Sequence, residues 1–442
     1  MQTPKIETAL VSALKRNARN ARTHSKKQIL QIADSIRAFG WTQPILADDK
    51  DNVIAGHGRL AAALELKLKT VPVIYCTELT EVQKRALAIA DNKIAANAGW
   101  DRAVLATELG ELATLFPELN LDLEITGFEP AEIDSLMGDF SDAEVDPSDF
   151  VPSLESIATS RTSDLWKLGE HRLLCGDCRR TDHVKHLMGK NRAFMVITDP
   201  PYNVRVSSVQ GRGKIKHREF AVASGEMSSE EFTEFLATAM GIAVDFSEDG
   251  SMHFFFMDWR HTPEILAAGK NIYDELKNMV VWVKSNPGQG SLYRSQHELV
   301  FVFKSGEERH QNNIQLGKHG RSRSNVWQYA GVNTFRKDRL AELTAHPTVK
   351  PVALVADAMR DCSRRGDIVL DLFMGSGTTI LAAEKVGRRG FGIEIDPLYV
   401  DVAIRRWQEF TKLDAVLVAT GQTFDEVAAE RSASPALKRV RI

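Results

Sequence analysis

The sequence predicts an α/β protein preceded by a smaller α+β body, and three observations carry that reading. The apolar run Phe194-Met195-Val196-Ile197 ends at Asp199-Pro200-Pro201-Tyr202. A second apolar run, Asp367–Phe373, enters the glycine turn Met374-Gly375-Ser376-Gly377-Thr378-Thr379 and then the helix Ile380–Val386. Between residues 101 and 160 stand one arginine and 15 acids, a connector that separates two mildly basic bodies. Proline gives up a backbone donor and pushes the residue before it away from helix. The Pro-Pro pair therefore marks a stiff turn that sets a carboxylate and an aromatic ring at the mouth of a strand, suited to holding a flat polar group.

The chain has 442 residues, room for two or three domains. We expect boundaries at 1–138, an acidic, Ser/Thr-rich solvated linker at 139–163, a large domain at 164–415 and a tail at 416–442. No apolar run approaches the ~18–20 residues of a membrane span, and the start lacks a signal-peptide core, so a cytoplasmic protein without a membrane partner is expected. Cys175-Gly176-Asp177-Cys178 has metal-pair spacing but no second pair, and reads as strand and turn. No metal is expected.

In chain order, cationic Lys15–Arg22 is followed by Ser25-Lys26-Lys27-Gln28, a capping box that opens a helix with Ile29, Ile32, Ala33, Ile36 and Phe39 on its apolar face and Gly40 as its stop. Short strands are expected at Pro44–Leu46, Val53–Ile54 and Val71–Tyr75. The turn Gly56-His57-Gly58-Arg59 leads into an alanine-rich helix, and helical patterns fill most of Thr80–Leu136. From Trp166 the pattern becomes α/β. Strands are expected at Trp166–Leu168, Arg172–Cys175 and up to Asp199, then at His253–Met257, Met279–Val283 and Leu299–Phe303, with a helix opened by Ser228–Glu231. Phe254-Phe255-Phe256 reads as core. The loop 203–218 holds Arg205, Arg212, Lys214, Lys216 and Arg218 without an acid. The polar turn Asn286–Glu298 holds Arg294. Residues 305–345 mix Lys318, Arg321 and Arg323 with His310, Trp327 and Tyr329, a composition suited to groove contact and phosphate neutralisation.

Glycines between strand and helix let a ligand approach the backbone, with helix N-terminal amides pointing at it. Glu394, at the end of the next strand, follows Gly375 by 19 residues, near the spacing at which an acid meets ribose hydroxyls. The third glycine of a dinucleotide fingerprint and the lysine of a P-loop are absent. An adenosyl cofactor across adjacent strand ends is implied, S-adenosylmethionine rather than NAD.

The N-terminal block, about residues 5–135, resembles the ParB-like N-terminal domain through Asn20-Ala21-Arg22, Ser35–Gly40, Gly56-His57-Gly58-Arg59 and Ala90-Asp91-Asn92-Lys93. In that family the glycine-arginine turn can receive phosphate. His57 stands where nucleotide-binding relatives carry glutamate, and the turn has no cysteine, which excludes sulfiredoxin chemistry. The resemblance implies a module that docks DNA or a partner protein. Residues 165–410 resemble the N6-adenine/N4-cytosine DNA methyltransferases, in the motif order of their β class, through Asp199–Tyr202, His346-Pro347-Thr348-Val349-Lys350-Pro351 and Asp371–Thr379. The whole chain resembles fused proteins of prophages and mobile elements, some of them parts of restriction-modification systems.

That resemblance implies a Rossmann-like, S-adenosylmethionine-dependent domain acting on double-stranded DNA. It assigns Asp199, Pro200, Pro201 and Tyr202 to the flipped base. To the cofactor it assigns Asp177 at the adenine end, Thr348 and Lys350 at the methionine end, Glu394 at the ribose, and Asp371, Phe373, Gly375, Gly377 and Thr378 along the turn. Asp199 in place of serine favours adenine N6 over cytosine N4, although both groups overlap. No Pro-Cys dipeptide is present, which argues against cytosine C5 chemistry. Two further readings stay open: a DNA-binding regulatory protein on an inactive scaffold, and an RNA or small-molecule methyltransferase. A homodimer is compatible with the sequence.

Overall fold

A computed structural model describes residues 5–115, 123–137, 147–204, 223–285, 287, 292–314, 323–329 and 349–433. The chain divides into two compact units, Met1–Met137 and Gly138–Ile442.

The N-terminal unit carries β1 (Ile6–Leu10), β2 (Ile45–Ala47), β3 (Val53–Ala55) and β4 (Thr70–Tyr75) in one sheet of order β1-β4-β2-β3. Ile45, Ala47, Val53, Leu60, Val71 and Val73 form its core. The helix Lys26–Phe39 begins where Ser25 caps the Gln28 amide and stops at Gly40, whose φ is 75°. Its expected apolar face is only partly used: Ala33 is buried, whereas Phe39 is 53% exposed. A second small core joins Leu109, Leu123 and Ile133 of the later helical segments.

The C-terminal unit is built on ten strands: β5 (Leu165–Leu168), β6 (His171–Cys175), β7 (Ala193–Thr198), β8 (Ser247–Met257), β9 (Glu275–Val283), β10 (His297–Lys304), β11 (Val326–Gln328), β12 (Ile368–Asp371), β13 (Arg389–Glu394) and β14 (Val416–Leu417). Their order is β11-β9-β10-β8-β7-β12-β13-β6-β5-β14. The centre, β8-β7-β12-β13-β6, is parallel throughout, and β10 and β5 add antiparallel flanks. A parallel centre must be covered on both faces, and two cores lie against it. One includes Ile197, Phe254, Phe256 and Val369; the other includes Val196, Phe255, Phe301 and Leu370. Phe254, Phe255 and Phe256 are all core, as their strand pattern requires.

Three expectations need correction. The segment expected as a solvated linker packs, from Pro147 onward, on the C-terminal unit. Asp401 accepts hydrogen bonds from the Thr159 and Ser160 amides at 2.5 and 2.9 Å, and buried Arg406 donates to the Ser148 carbonyl at 2.8 Å. Asp401 and Arg406 lie on one helix, Pro397–Thr411, and a charge buried there needs partners that this segment supplies. The expected tail beyond 415 is also part of the fold: β14 extends the sheet antiparallel to β5, and Phe424 packs on Trp166 at 5.3 Å between ring centroids. Phe424→Leu is expected to cost about 1 kcal/mol and to lower the midpoint of thermal unfolding.

The third correction concerns the basic region 305–345. Trp327 is buried in β11, paired in parallel with β9. Arg323 lies 3.1 Å from Asp357 Oδ2 and 2.8 Å from Asp361 Oδ2, and stacks over Trp327 at 5.0 Å. Tyr329 donates to Asp357 Oδ2 at 2.5 Å. Two carboxylates of the helix Val352–Cys362 thus hold the arginine in the protein, where it neutralises them rather than a phosphate. Lys318 and Arg321 lie outside the described residues, as do Arg205, Arg212, Lys214, Lys216 and Arg218. Arg294 is exposed and donates to the Pro287 carbonyl at 3.0 Å.

Candidate active site

From β7 the chain passes to β8 on one side; from β12 it passes to β13 on the other. The crevice beyond the carboxyl ends of β7 and β12 is therefore the topological switch point, where open α/β sheets bind ligands. Four of the expected residue groups fall on that edge. Asp199–Tyr202 follows β7, Phe373–Thr378 follows β12, Glu394 ends β13 and Asp177 follows β6, on four consecutive parallel strands.

The glycine turn is shaped for close approach. Gly375 and Gly377 have φ of 53° and 86°, and a Cβ on Gly377 would stand 2.8 Å from Ala403 Cβ. Glu394 receives the Gly375 amide at 2.8 Å on one oxygen and the Asp396 amide at 2.8 Å on the other. Burial pushes its carboxyl up to about 7, against the lowering effect of those amides. Each oxygen retains acceptor capacity, so the carboxylate suits the two hydroxyls of a ribose diol as donors. Asp177 is held below the usual carboxylate range: burial would raise it, but the Arg179 guanidinium, bonded at 3.0 and 2.7 Å, outweighs that. Phe373 is half-buried, tilted against Phe235 at 5.8 Å.

Two residues expected at the cofactor face inward instead. Asp371 is buried and takes hydroxyl hydrogen bonds from Thr198 and Thr379, each at 2.6 Å. Burial raises its carboxyl to about 6. It ties β7, β12 and the following helix together. Thr378 is likewise buried, its hydroxyl taken by Arg406 at 3.0 Å. Thr348 lies outside the described residues.

The clamp contains more than its motif. Tyr202 donates its hydroxyl proton to Asp199 Oδ1 at 2.6 Å, and the same hydroxyl lies 3.1 Å from Glu298 Oε2. Lys350, expected at the methionine end of the cofactor, places its ammonium 2.5 Å from Asp199 Oδ2, 3.2 Å from Glu298 Oε2 and 3.3 Å from the Tyr202 hydroxyl. Lys284 pairs with the other Glu298 oxygen. Burial raises Asp199, with Lys350 opposing and Glu298 adding. For Glu298, burial is outweighed by Lys350 and Lys284, which hold it low, at about 2. Glu298 is the residue that sequence reasoning missed. It was assigned to a polar turn, but β10 begins at His297 and pairs Glu298 with Trp282 of β9. Its only local signal is an acid at the mouth of an apolar strand.

In the N-terminal unit, Gly56-His57-Gly58-Arg59 lines a cleft of 530 Å³ with Arg22, His24 and Gln43. Arg59 donates to Gln43 Oε1 at 2.7 Å, and His57 Nε2 accepts the Asn17 amide at 3.3 Å. Among the described residues no cluster of metal-ligating side chains occurs, and Cys175 and Cys178 are both buried. No described helix is long and apolar enough to cross a membrane.

At the switch point a groove suited to an adenosyl group adjoins a clamp suited to an amine, an architecture that defines a Rossmann-like methyltransferase. The chain is similar to known proteins along most of its length. The DNA methylase family (N6/N4 type) matches residues 194–405, the ParB N-terminal domain residues 1–93 and the ParB-methyltransferase HTH domain residues 103–162. The ParB-like nuclease domain-containing protein YnaK of Escherichia coli K12 is 54% identical over 68 residues, 15% of this chain and 78% of that protein. Type II methyltransferase M.HpaI of Haemophilus parainfluenzae is 25% identical over 264 residues, 56% of this chain and 77% of that protein. Among solved structures, the PvuII DNA methyltransferase (cytosine-N4-specific) aligns with a TM-score of 0.42 at 16% identity, over 63% of this chain and 94% of that one. The chain carries an N6/N4 DNA methylase domain, preceded by a ParB-like N-terminal domain. It is an enzyme that methylates DNA, with S-adenosylmethionine as its cofactor.

Proposed function

We propose that the enzyme methylates the exocyclic N6 amine of adenine in double-stranded DNA, on a base flipped out of the helix. The observation that carries this reading is the placement of Asp199–Tyr202 at the end of β7, beside the glycine turn that ends the adjacent β12. A base inside a duplex cannot reach a donor in that crevice and must leave the stack. S-adenosylmethionine, when bound, supplies an electrophilic methyl group; Glu394, Phe373 and the turn Gly375–Gly377 would hold it, with Asp177 at its adenine end. Asp199 and the Pro200 carbonyl accept hydrogen bonds from the exocyclic amine, which turns the nitrogen lone pair toward the donor side. Tyr202 stacks on the ring, and Pro200-Pro201 keeps the turn rigid. The carboxylate of Asp199 is also positioned to take the proton that the amine loses. The main catalytic contribution is positioning, so no enzyme nucleophile is required.

The N-terminal unit serves as a second DNA contact in this reading, supported by the helix-turn-helix family match that begins within it at residue 103 and runs to 162 and by the Arg22, His24, His57 and Arg59 side chains of the cleft. DNA treated with labelled donor and digested to nucleosides tests the target base. Label in N6-methyladenine is expected, whereas label in N4-methylcytosine alone would overturn the choice of adenine.

A further inference from the structure

Asp199 belongs to an alternating chain of charges, Lys284–Glu298–Lys350–Asp199, that crosses from the end of β9 through β10 to the clamp, with Lys350 buried and the others half-buried. Lys350 is 6% exposed and boxed by rings, with Phe256 at 5.1 Å, Tyr202 at 5.6 Å and Trp282 at 6.0 Å from its ammonium. Rings attract an ammonium but do not replace a carboxylate. The buried lysine is therefore divided between two acids.

We propose that Glu298 is a positioning residue for methyl transfer: it shares the Lys350 ammonium with Asp199 and meets the Tyr202 hydroxyl, so that Asp199 stays aimed into the crevice. The proposal rests on the reading of Asp199 as the acceptor of the amine. Without Glu298, Lys350 has, among the described residues, only Asp199 as its carboxylate, and the pair closes on itself where the amine must bind. Glu298 suits this task because it sits in a paired strand opposite Trp282 rather than on a loop. Among the described residues, the ionisable groups around Asp199 are Lys350 from the turn before the helix Val352–Cys362, Glu298 from β10 with Lys284 behind it, Tyr202 from its own turn and Asp371 from β12.

Glu298→Gln keeps the shape and removes the charge. In single-turnover transfer to duplex DNA, its rate is expected to fall about 10²-fold, with S-adenosylmethionine binding by calorimetry close to that of the wild type. Because the charge of Glu298 raises Asp199, the acid limb of the variant's rate profile should move to lower pH. A rate near wild type, a slow rate with an unmoved limb, or loss of donor binding would each overturn the proposal. Asp199→Ala in the same assay separates the two readings: if Asp199→Ala also transfers at the wild-type rate, the assignment of Asp199 itself fails.

Discussion

Asp199→Ala is expected to reduce single-turnover methyl transfer by about 10³-fold, the scale of losing a preorganised group at the reacting centre, while S-adenosylmethionine binding persists. In the proposed mechanism the carboxylate is the acceptor for the amine, and among the described residues no neighbouring carboxylate stands ready to replace it. Glu298 has one oxygen committed to Lys284 and the other shared between Lys350 and Tyr202. Donor binding should survive because the groove beyond β12 and β13 is held by other contacts: Glu394 to the Gly375 amide, and Asp371 to Thr198 and Thr379. The substitution also removes one of the two carboxylates that neutralise Lys350, so Asp199→Asn is the companion variant. It retains an acceptor oxygen but not the charge, and should recover only a small part of the rate. Calorimetry of donor binding and a rapid-quench measurement on DNA check the result together. Transfer at the wild-type rate in Asp199→Ala would remove it from the mechanism.

Gly377→Val should unfold the cofactor site. The residue sits at φ 86°, in the left-handed region, where a β-branched side chain costs about 1–2 kcal/mol. A Cβ there also meets Ala403, 2.8 Å from its Cβ and 3.1 Å from its Cα. The helix Pro397–Thr411 cannot yield cheaply, because Asp401 and Arg406 anchor it to residues 148–160. Overpacking against such a backbone adds about 1–3 kcal/mol. A loss of about 3 kcal/mol corresponds to a drop on the order of 5 °C in melting temperature for a unit of this size. The helix start at Thr378 should shift with it, so donor affinity falls as well. Differential scanning calorimetry and a donor titration check both effects, and Gly377→Ala should show a weaker version of each.

Much of this site was legible from local pattern. A strand that ends in a Pro-Pro turn, a strand that ends in a glycine turn and an acid at the end of the following strand can each be read within about twenty residues, because strand period and turn chemistry are local. The ends of the domain were less legible. Ser/Thr-rich and acidic 147–163 has the composition of a linker, yet it packs because Asp401 and Arg406, more than two hundred residues away, need hydrogen-bond partners. Arg323 shows the reverse case. Its neighbours in sequence mark it as a cation for phosphate, while Asp357 and Asp361 on a later helix claim it. Glu298 escaped because its meaning lies in β10 running antiparallel beside β8 and β9.

The sequence by itself determined a stiff Asp-Pro-Pro-Tyr turn, and a glycine turn followed one strand later by an acid, and roughly which residues build each. The tertiary structure decided that they meet, and what governs the clamp. Strand order places β7 beside β12, although the two are about 170 residues apart, and so brings Asp199 next to the glycine turn. The same order carries Glu298 across 96 residues to the Tyr202 hydroxyl, and Lys350 across 151 to Asp199. A side-chain pattern records which face of a strand is buried, but not which strand lies beside it. Asp199-Pro200-Pro201-Tyr202 could be read from the chain, whereas its supporting charges could be seen only once the sheet was assembled.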